Sequence, residues 1–497
     1  MDPAEIQRKL DAFTNSSKEA MNRKPQKYDD AGRVILDPFT AFSSEDIRDN
    51  EFVDAKDAVR KTFHMRVGEV VVALEEVRPG KAPIADIDRP ENLVDKLQHT
   101  RLKGMEEARL TKAALAESPW SDDYWALYTG ALGKRYADPK FPKSADWAEN
   151  HKYIQDHPAQ AIVAAGNQQA VDRLSPSEKY DLLIGDAAGT LTKGMWDEGR
   201  YYHERNGKVE TWMGLCHGWA PAAYMLARPR KVITVKAADG RTNLRFFPSD
   251  IKALATLLWA NGRSPTRFIG SRSNDKDPAM DEVGRVTSEA VFDTNPGIWH
   301  MSVVNQIGVA KRSFIIDATF DYEVWNQPMV GYEYTYFNPQ QRRVAGSPAR
   351  AGSLAQATVP RAQFTNDPFK RYRSASYTSI VGVAMRARYV VETSPSHATT
   401  DSPSRDAITA VDYLYDLELN ADGTIVGGEW YQNAHPDFLW TAPRGARIRT
   451  PGDTAATGSW SAPAPMPAAW RRAAQRMSAS RLPLARIVET LIRLAGA

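Results

Sequence analysis

Hydrophobic and polar positions recur along the chain with two different periods, which together predict a mixed α+β protein. Helical spacing is clearest within 90–117, where Leu93, Leu97, Leu102 and Met105 recur. Further helices are predicted over 4–22, after Ser121, from Pro176, and over 251–259 with Ser249 as its cap. The helix from Pro176 has the strongest start signal, because Ser175 to Glu178 form a capping box with proline at the first helical position.

Two-residue alternation predicts strands over 298–307, 310–319, 378–392, 407–419 and 424–431. Two of the intervening turns have specific sequences. Asp422-Gly423 predicts a tight hairpin between the last two strands, and Gly308-Val309 suits a type II′ turn between the first two. The sequence therefore predicts antiparallel sheet in the C-terminal half.

Composition changes along the chain and predicts three regions. Residues 1–117 form an N-terminal helical or accessory region, 118–443 a catalytic domain, and 444–497 a linker followed by an amphipathic helix. Within the second region, 338–377 is rich in Pro, Ser, Gly, Ala and Arg and predicts a long internal loop. The C-terminal helix is expected to pack on its own domain, with a membrane surface or a partner as the alternative.

The charge balance and the single cysteine exclude several classes of protein. Lysine and arginine total 64 against 61 aspartate and glutamate, so the net charge of +3 argues against a dedicated nucleic-acid binder. One cysteine cannot form an intrachain disulfide and excludes cysteine-rich zinc sites. No apolar run is long enough to cross a membrane, and no signal peptide is visible, which predicts a cytoplasmic or non-classically exported protein.

The lone cysteine, Cys216, lies just before an alanine-rich helical run that contains Pro221. Because proline is tolerated in the first turn of a helix, Cys216 is expected at or just before a helix N-terminus. The helix dipole there would lower the pKa of the thiol and activate it as a nucleophile. The alternative is a small buried hydrophobic residue, the usual fate of a lone cysteine.

A catalytic thiol also needs a base and a group that orients the base. If Gly308-Val309 is the hairpin turn, residues that face each other have numbers summing to 617, which pairs His300 with Asp317. Asp317 could then fix the imidazole tautomer. A four-residue loop would make the pair diagonal. The other interpretation is a partly buried strand histidine and an aspartate that bonds to backbone.

The oxyanion of an acyl-transfer intermediate would be bound by the backbone N–H of Cys216 and by a second donor. The indole N–H of Trp212 is the candidate for that donor, with a core aromatic as the alternative. His217 and Trp219 are candidates for lining the cleft. Asp275, Asp277, Asp281 and Glu282 form an acidic cluster, interpreted as a solvated loop or a loose calcium site.

Several segments resemble the oomycete transglutaminase elicitors that plants detect. They include Val324-Trp325-Asn326-Gln327-Pro328, Cys216 to Ala223, Phe247 to Leu254, Asn295 to His300, Gly427 to Tyr431 and His435 to Trp440. The resemblance covers roughly 118–443. The chain is a single-cysteine member, whereas the secreted oomycete members carry further cysteines.

The resemblance implies a protein-glutamine γ-glutamyltransferase with Cys216 as nucleophile, His300 as base and Asp317 as orienter. It implies a papain-like core, in which a helix carrying the cysteine packs on an antiparallel sheet carrying histidine and aspartate. It also implies calcium dependence, with no ligand set matched, and no organic cofactor is expected. Expected substrates are proteins with accessible Gln and Lys, or polyamines. Trp325 is expected to shape the cleft.

The same three residue types also serve cysteine proteases, deamidases and amide hydrolases. A non-catalytic binding module is the remaining alternative. Product analysis separates the enzymes, and the reactivity of Cys216 toward alkylating agents separates them from the module.

Overall fold

A computed structural model describes residues 3–35, 88–270, 279–287, 294–318, 324–340 and 351–496. The α-helices are α1 (Pro3–Asn15), α2 (Ser17–Met21), α3 (Leu102–Glu107), α4 (Trp147–Asp156), α5 (Ala159–Ala164), α6 (Gln168–Asp172), α7 (Pro176–Ile184), α8 (Thr190–Asn206), α9 (Cys216–Met225), α10 (Pro248–Asn261), α11 (Pro296–Val303), α12 (Leu354–Ala357), α13 (Ala468–Ser478) and α14 (Ala485–Gly496). The strands are β1 (Lys27–Asp29), β2 (Lys112–Ala114), β3 (Ile233–Lys236), β4 (Asn243–Phe246), β5 (Arg267–Gly270), β6 (Ile315–Asp317), β7 (Asn326–Phe337), β8 (Ala351–Gly352), β9 (Thr358–Pro360), β10 (Ser379–Val391), β11 (Ala407–Leu419), β12 (Ile425–Trp430) and β13 (Phe438–Thr441).

The main sheet is antiparallel and runs in the order β1-β11-β10-β7-β6-β13-β5. The short strands β2 and β8 add to β7, β9 adds to β10, and β12 adds to β11, while β3 and β4 form a separate hairpin. The long strands β7, β10 and β11 form the centre of this sheet. Because β1 and β2 come from the N-terminal region, that region contributes directly to the sheet.

Two large hydrophobic cores hold the helices to the sheet. One joins α7 to α10, the C-terminal helices and one end of the sheet, and the other lies between α11 and the central strands. In the first core α9 packs against α10 at Gly218, where a Cβ atom would lie 2.3 Å from the Thr256 carbonyl oxygen. This close approach, together with contact between α9 and β7, fixes the helix that carries Cys216.

The mixed helical and antiparallel architecture predicted from the sequence is confirmed, and several elements match it closely. Strand β11 spans the predicted 407–419, and β10 and β12 differ from prediction by a residue at each end. Gly423 has the positive φ of 80° that its turn requires. The capping box of Ser175 and Glu178 is formed and α7 begins at Pro176.

The predicted hairpin over 298–319 is wrong. Asn295 caps Gly297 through its side chain at 2.8 Å, and Pro296 occupies the first turn, so helix α11 begins there. A π-helical turn, Val304–Val309, continues it and contains the supposed turn glycine, Gly308. His300 is therefore on a helix, while Asp317 is on strand β6 as predicted.

Other differences have local causes. The helix predicted after Ser121 is absent, because Trp125 and Ala131 adopt φ values of 52° and 47°, which a right-handed helix cannot contain. The long helix predicted within 90–117 reduces to a 3₁₀ turn and α3. Helix α10 begins at Pro248, so Ser249 lies inside its first turn and is not its cap.

The predicted loop 338–377 contains β8, α12 and β9 in its described part, while 341–350 lie outside the described residues. The predicted C-terminal helix is two helices, α13 and α14. Helix α14 buries Ile487, Val488 and Leu491 against its own protein, as expected. The three-region division stays a prediction. None of the helices in the described ranges is long and apolar enough to cross a membrane.

Candidate functional site

Cys216 is the first residue of α9, as the sequence predicts. The Leu215 N–H immediately before it donates to the Tyr124 carbonyl at 2.6 Å, which anchors the chain entering the helix. Pro221 lies one turn further into the helix than the prediction placed it. The thiol is thus presented from a fixed helix N-terminus.

The sulfur is covered by the segment that begins strand β7. The Cys216 thiol donates to the Val324 carbonyl oxygen at 3.6 Å, and Asn326 Nδ2 donates to the sulfur at 3.5 Å. The segment 324–326 therefore covers the sulfur as it leads into β7.

Burial raises the pKa of the Cys216 thiol to about 11. Hydrogen bonds from the side chain and the backbone of Asn326 oppose this shift, and the charges of Glu392 and Asp317 add to it. The expectation that the pKa of this thiol is lowered is wrong for the arrangement described, because burial is the largest cause of the shift and raises the pKa. At neutral pH the covered thiol is protonated.

Asn326 is held in a defined orientation. Its Oδ1 accepts the Trp440 indole N–H at 2.8 Å, which leaves the amide nitrogen facing Cys216. Asp317 pairs with Asn326 between β6 and β7, and its Oδ1 accepts the Trp325 N–H at 3.0 Å. The structure thus brings Cys216 and Asp317 into one region, with Asn326 between them.

His300 lies elsewhere. Its ring packs against Tyr334, with centroids 4.7 Å apart, and its Nδ1 is 2.8 Å from the Tyr415 hydroxyl oxygen. Asn326 and Tyr334 are eight residues apart on β7, roughly 26 Å along the strand. Full burial lowers the pKa of His300 to about 3. The predicted pairing of His300 with Asp317 across a hairpin is therefore not formed.

The aromatic candidates divide between core and cleft. The Trp212 indole N–H donates to Glu210 at 2.6 Å, and that of the fully buried Trp219 donates to the Trp120 carbonyl at 3.1 Å. Trp325 packs against Tyr124, with ring centroids 5.4 Å apart. His217 lines a small cleft with Trp259 and with Trp440, whose indole N–H donates to Asn326. Trp325 lies between Val324 and Asn326, the two residues that contact the sulfur.

Three residues near the thiol were missed by the sequence analysis: Asn326, Gln327 and Glu392. Gln327 Nε2 donates to both carboxylate oxygens of Glu392 at 2.9 Å. Burial raises the pKa of Glu392 to about 7. Asn326 and Gln327 follow the candidate residue Asp317 closely in the chain, and this proximity could have identified them as site residues. No local pattern identified Glu392, which directly follows β10.

The acidic cluster does not supply a calcium site among the described residues. Asp275 and Asp277 lie outside those residues. Both carboxylate oxygens of Asp281 are hydrogen-bonded, Oδ1 to backbone N–H groups and Oδ2 to Arg371 and Tyr372. No group of three or more metal-binding side chains occurs in the described part of the chain.

Comparison with known proteins agrees with the resemblance seen in the sequence. The pattern of the transglutaminase elicitor family matches residues 86–450. The crystal structure of the GP42 transglutaminase from Phytophthora sojae is similar, with a TM-score of 0.50 and 21% sequence identity over 80% of this chain and 94% of that chain. No curated protein matches. Because the family pattern spans most of the chain, including the Cys216 helix and strand β7, this protein belongs to the transglutaminase elicitor family.

Proposed function

We propose that this protein is a protein-glutamine γ-glutamyltransferase with Cys216 as the nucleophile. One observation carries the proposal: in a member of this family, the single cysteine begins a helix and receives an amide hydrogen bond from Asn326. A helix N-terminus and an oriented amide are the donors that an acyl-transfer intermediate needs.

In the first half-reaction the Cys216 sulfur attacks the side-chain amide carbon of a protein glutamine. The carbon–sulfur bond forms as the carbon–nitrogen bond breaks, and the thiol proton leaves on nitrogen as ammonia. We assign the oxyanion to the backbone N–H of Cys216 and to Asn326 Nδ2. Asn326 replaces Trp212 in this role, because the Trp212 indole N–H is directed to Glu210.

In the second half-reaction a primary amine attacks the thioester, and the thiol is regenerated. The glutamine has to displace the Val324 carbonyl from the sulfur, since that contact covers the thiol. Asp317 stays in the proposal as a neighbour that positions the Trp325 backbone. His300 is given no proton-transfer role here, because its Nδ1 faces Tyr415.

The test is incorporation of a labelled primary amine into a glutamine-rich protein by wild type and by Cys216→Ala, with calcium and with a chelator. Incorporation that depends on Cys216 supports the proposal, and the chelator arm measures calcium dependence. Ammonia release or peptide cleavage without incorporation would reassign the protein to the hydrolases. A folded protein that gives no product in any arm would indicate a non-catalytic member.

A further inference from the structure

Within electrostatic reach of the thiol, the half-buried carboxylate of Glu392 lacks, among the described residues, the cation partner that several buried acids of this fold have. Asp416 is paired with Arg373, Asp250 with Lys179 and Asp406 with Arg228. Such pairing is the usual way to keep a charge inside a protein. Glu392 is held instead by the neutral amide of Gln327.

The Gln327 amide leaves a second acceptor at the same place. Gln327 is 3% exposed, and its Oε1 has no hydrogen-bond partner among the described residues, while its Nε2 is committed to Glu392. A buried amide oxygen without a donor is costly. An amide oxygen without a donor among the described residues therefore lies beside a carboxylate that is held only by neutral donors.

The surroundings of this pair suit a cation. The charge of Glu392 acts on Cys216 and on Tyr124, whose ring packs against Trp325. A carboxylate held only by neutral donors favours the binding of a cation. The charged neighbours are Asp123, which is paired with Lys134 at 2.7 Å, and Lys27 on β1.

We propose that Glu392 and Gln327 form the subsite for the acceptor amine, which receives a primary ammonium group such as that of lysine or a polyamine. This inference rests on the proposed function, since the amine must meet a thioester on Cys216. The subsite is expected to favour charged amines over uncharged nucleophiles.

The proposed chemistry balances. The ammonium group transfers one proton to the Glu392 carboxylate, which frees the nitrogen lone pair. The amine nitrogen forms a bond to the thioester carbon, the carbon–sulfur bond breaks, and the second nitrogen proton passes to the Cys216 sulfur. The products are a substituted amide, the thiol and a protonated Glu392, which then loses its proton to solvent.

The experiment compares a dansylated diamine, which is a cation at pH 7, with hydroxylamine, which is largely neutral there. Both are offered to the full chain with a blocked glutaminyl-glycine donor. Glu392→Gln is expected to lower the ratio of kcat/KM for diamine to kcat/KM for hydroxylamine at least tenfold, through both binding and deprotonation of the ammonium group. Glu392→Asp, which keeps the charge, should recover part of the ratio. Glu333→Gln, on the far part of β7, serves as the matched control.

An unchanged ratio in Glu392→Gln, or an equal loss with both nucleophiles, would overturn the subsite. Binding of the diamine to the Cys216→Ala variant can be measured from the broadening of the diamine's proton NMR signals. This readout does not depend on turnover. Broadening that disappears in Cys216→Ala/Glu392→Gln supports the subsite even if transfer fails. Ammonia release without amine incorporation, together with diamine binding that ignores Glu392, would remove both proposals.

Discussion

The two ends of strand β7 contain the environments of the two residues that the sequence paired as nucleophile and base. At the Asn326 end, Cys216 meets polar groups: a carbonyl, an oriented amide, and two carboxylates within electrostatic reach. At the Tyr334 end, His300 meets tyrosine rings and one hydroxyl group. The two ends of β7 thus differ in polarity, and this difference is why we propose the Cys216 end as the reactive one.

Burial favours the neutral form of both Cys216 and His300, but only the Cys216 environment contains groups that could stabilise the charged form. The amide and backbone donors of Asn326 would stabilise a thiolate once substrate displaces Val324. Burial lowers the pKa of His300, and its described surroundings provide no carboxylate to stabilise an imidazolium. A perturbed pKa alone therefore does not identify a catalytic group.

The largest expected effect is the loss of activity on substitution of Cys216, compared with little change on substitution of His300. Cys216→Ala should lower kcat/KM for amine incorporation by about 10⁴-fold or more, the loss typical of a removed nucleophile. His300→Gln, measured well below its unfolding temperature, should stay within about threefold of wild type because its ring does not reach the sulfur. A folded His300→Gln protein as inactive as Cys216→Ala would break the comparison.

Removing the oriented amide should produce the next largest loss. Asn326→Leu deletes a proposed oxyanion donor, and such deletions lower kcat by roughly 10²–10³-fold. Steady-state kinetics should show little change in KM for the glutamine donor. Trp440→Phe, which removes the hydrogen bond that orients Asn326 together with part of a buried ring, is the graded control and should lose less. Equal KM and kcat effects in Asn326→Leu would argue against the oxyanion role.

Substitution of His300 should lower the unfolding free energy more than substitution of Cys216. His300→Ala removes a fully buried ring and leaves the Tyr415 hydroxyl with its weak contact to the Met385 sulfur, which should cost about 2–4 kcal/mol of unfolding free energy. Cys216→Ala removes a single sulfur atom and should cost less. Denaturant unfolding of the two variants beside wild type measures the contrast. A smaller loss in His300→Ala than in Cys216→Ala would contradict it.

The two ends should also respond to opposite extremes of pH. The pKa of His300 falls from 6.5 to about 3, so its contribution to stability is complete above pH 6.5 and is lost as pH falls toward 3. The pKa of Cys216 rises from 9.0 to about 11, so its contribution is complete below pH 9 and is lost as pH rises toward 11.

Unfolding free energies measured from pH 4 to 10 should therefore show an acid slope that is reduced in His300→Gln. Part of the slope should remain, since burial also lowers the pKa of His435 to about 3. The rate of Cys216 alkylation in the folded protein should still be rising above pH 9. A rate that levels off near pH 7 would show a thiol that is already ionised, contrary to the covered arrangement.

Local sequence accounts for the elements that were predicted well. Strands β10, β11 and β12 follow from alternation and from the Asp422-Gly423 turn, and α7 follows from the Ser175 capping box. In each case neighbouring residues contain the signal, because hydrogen bonding and side-chain direction repeat within one element. The position of Cys216 at a helix N-terminus was predictable for the same reason.

The prediction for 298–307 failed where two local signals competed. Alternating hydrophobic positions favoured a strand, whereas Asn295 and Pro296 form a helix start that decided the outcome. The buried location of α11 explains the ambiguity, because a helix that is apolar on all sides has no polar face to reveal its period.

The sequence by itself determined the family, the central strands and the helix that presents Cys216, since each depends on residues close together in the chain. Only the tertiary structure decided what surrounds the thiol. Cys216, Asn326, Glu392 and Trp440 are separated by 48 to 224 positions in the chain and meet through strand pairing and helix packing. The physical reason is that burial and electrostatic neighbours are properties of the packed chain, and no local pattern encodes them.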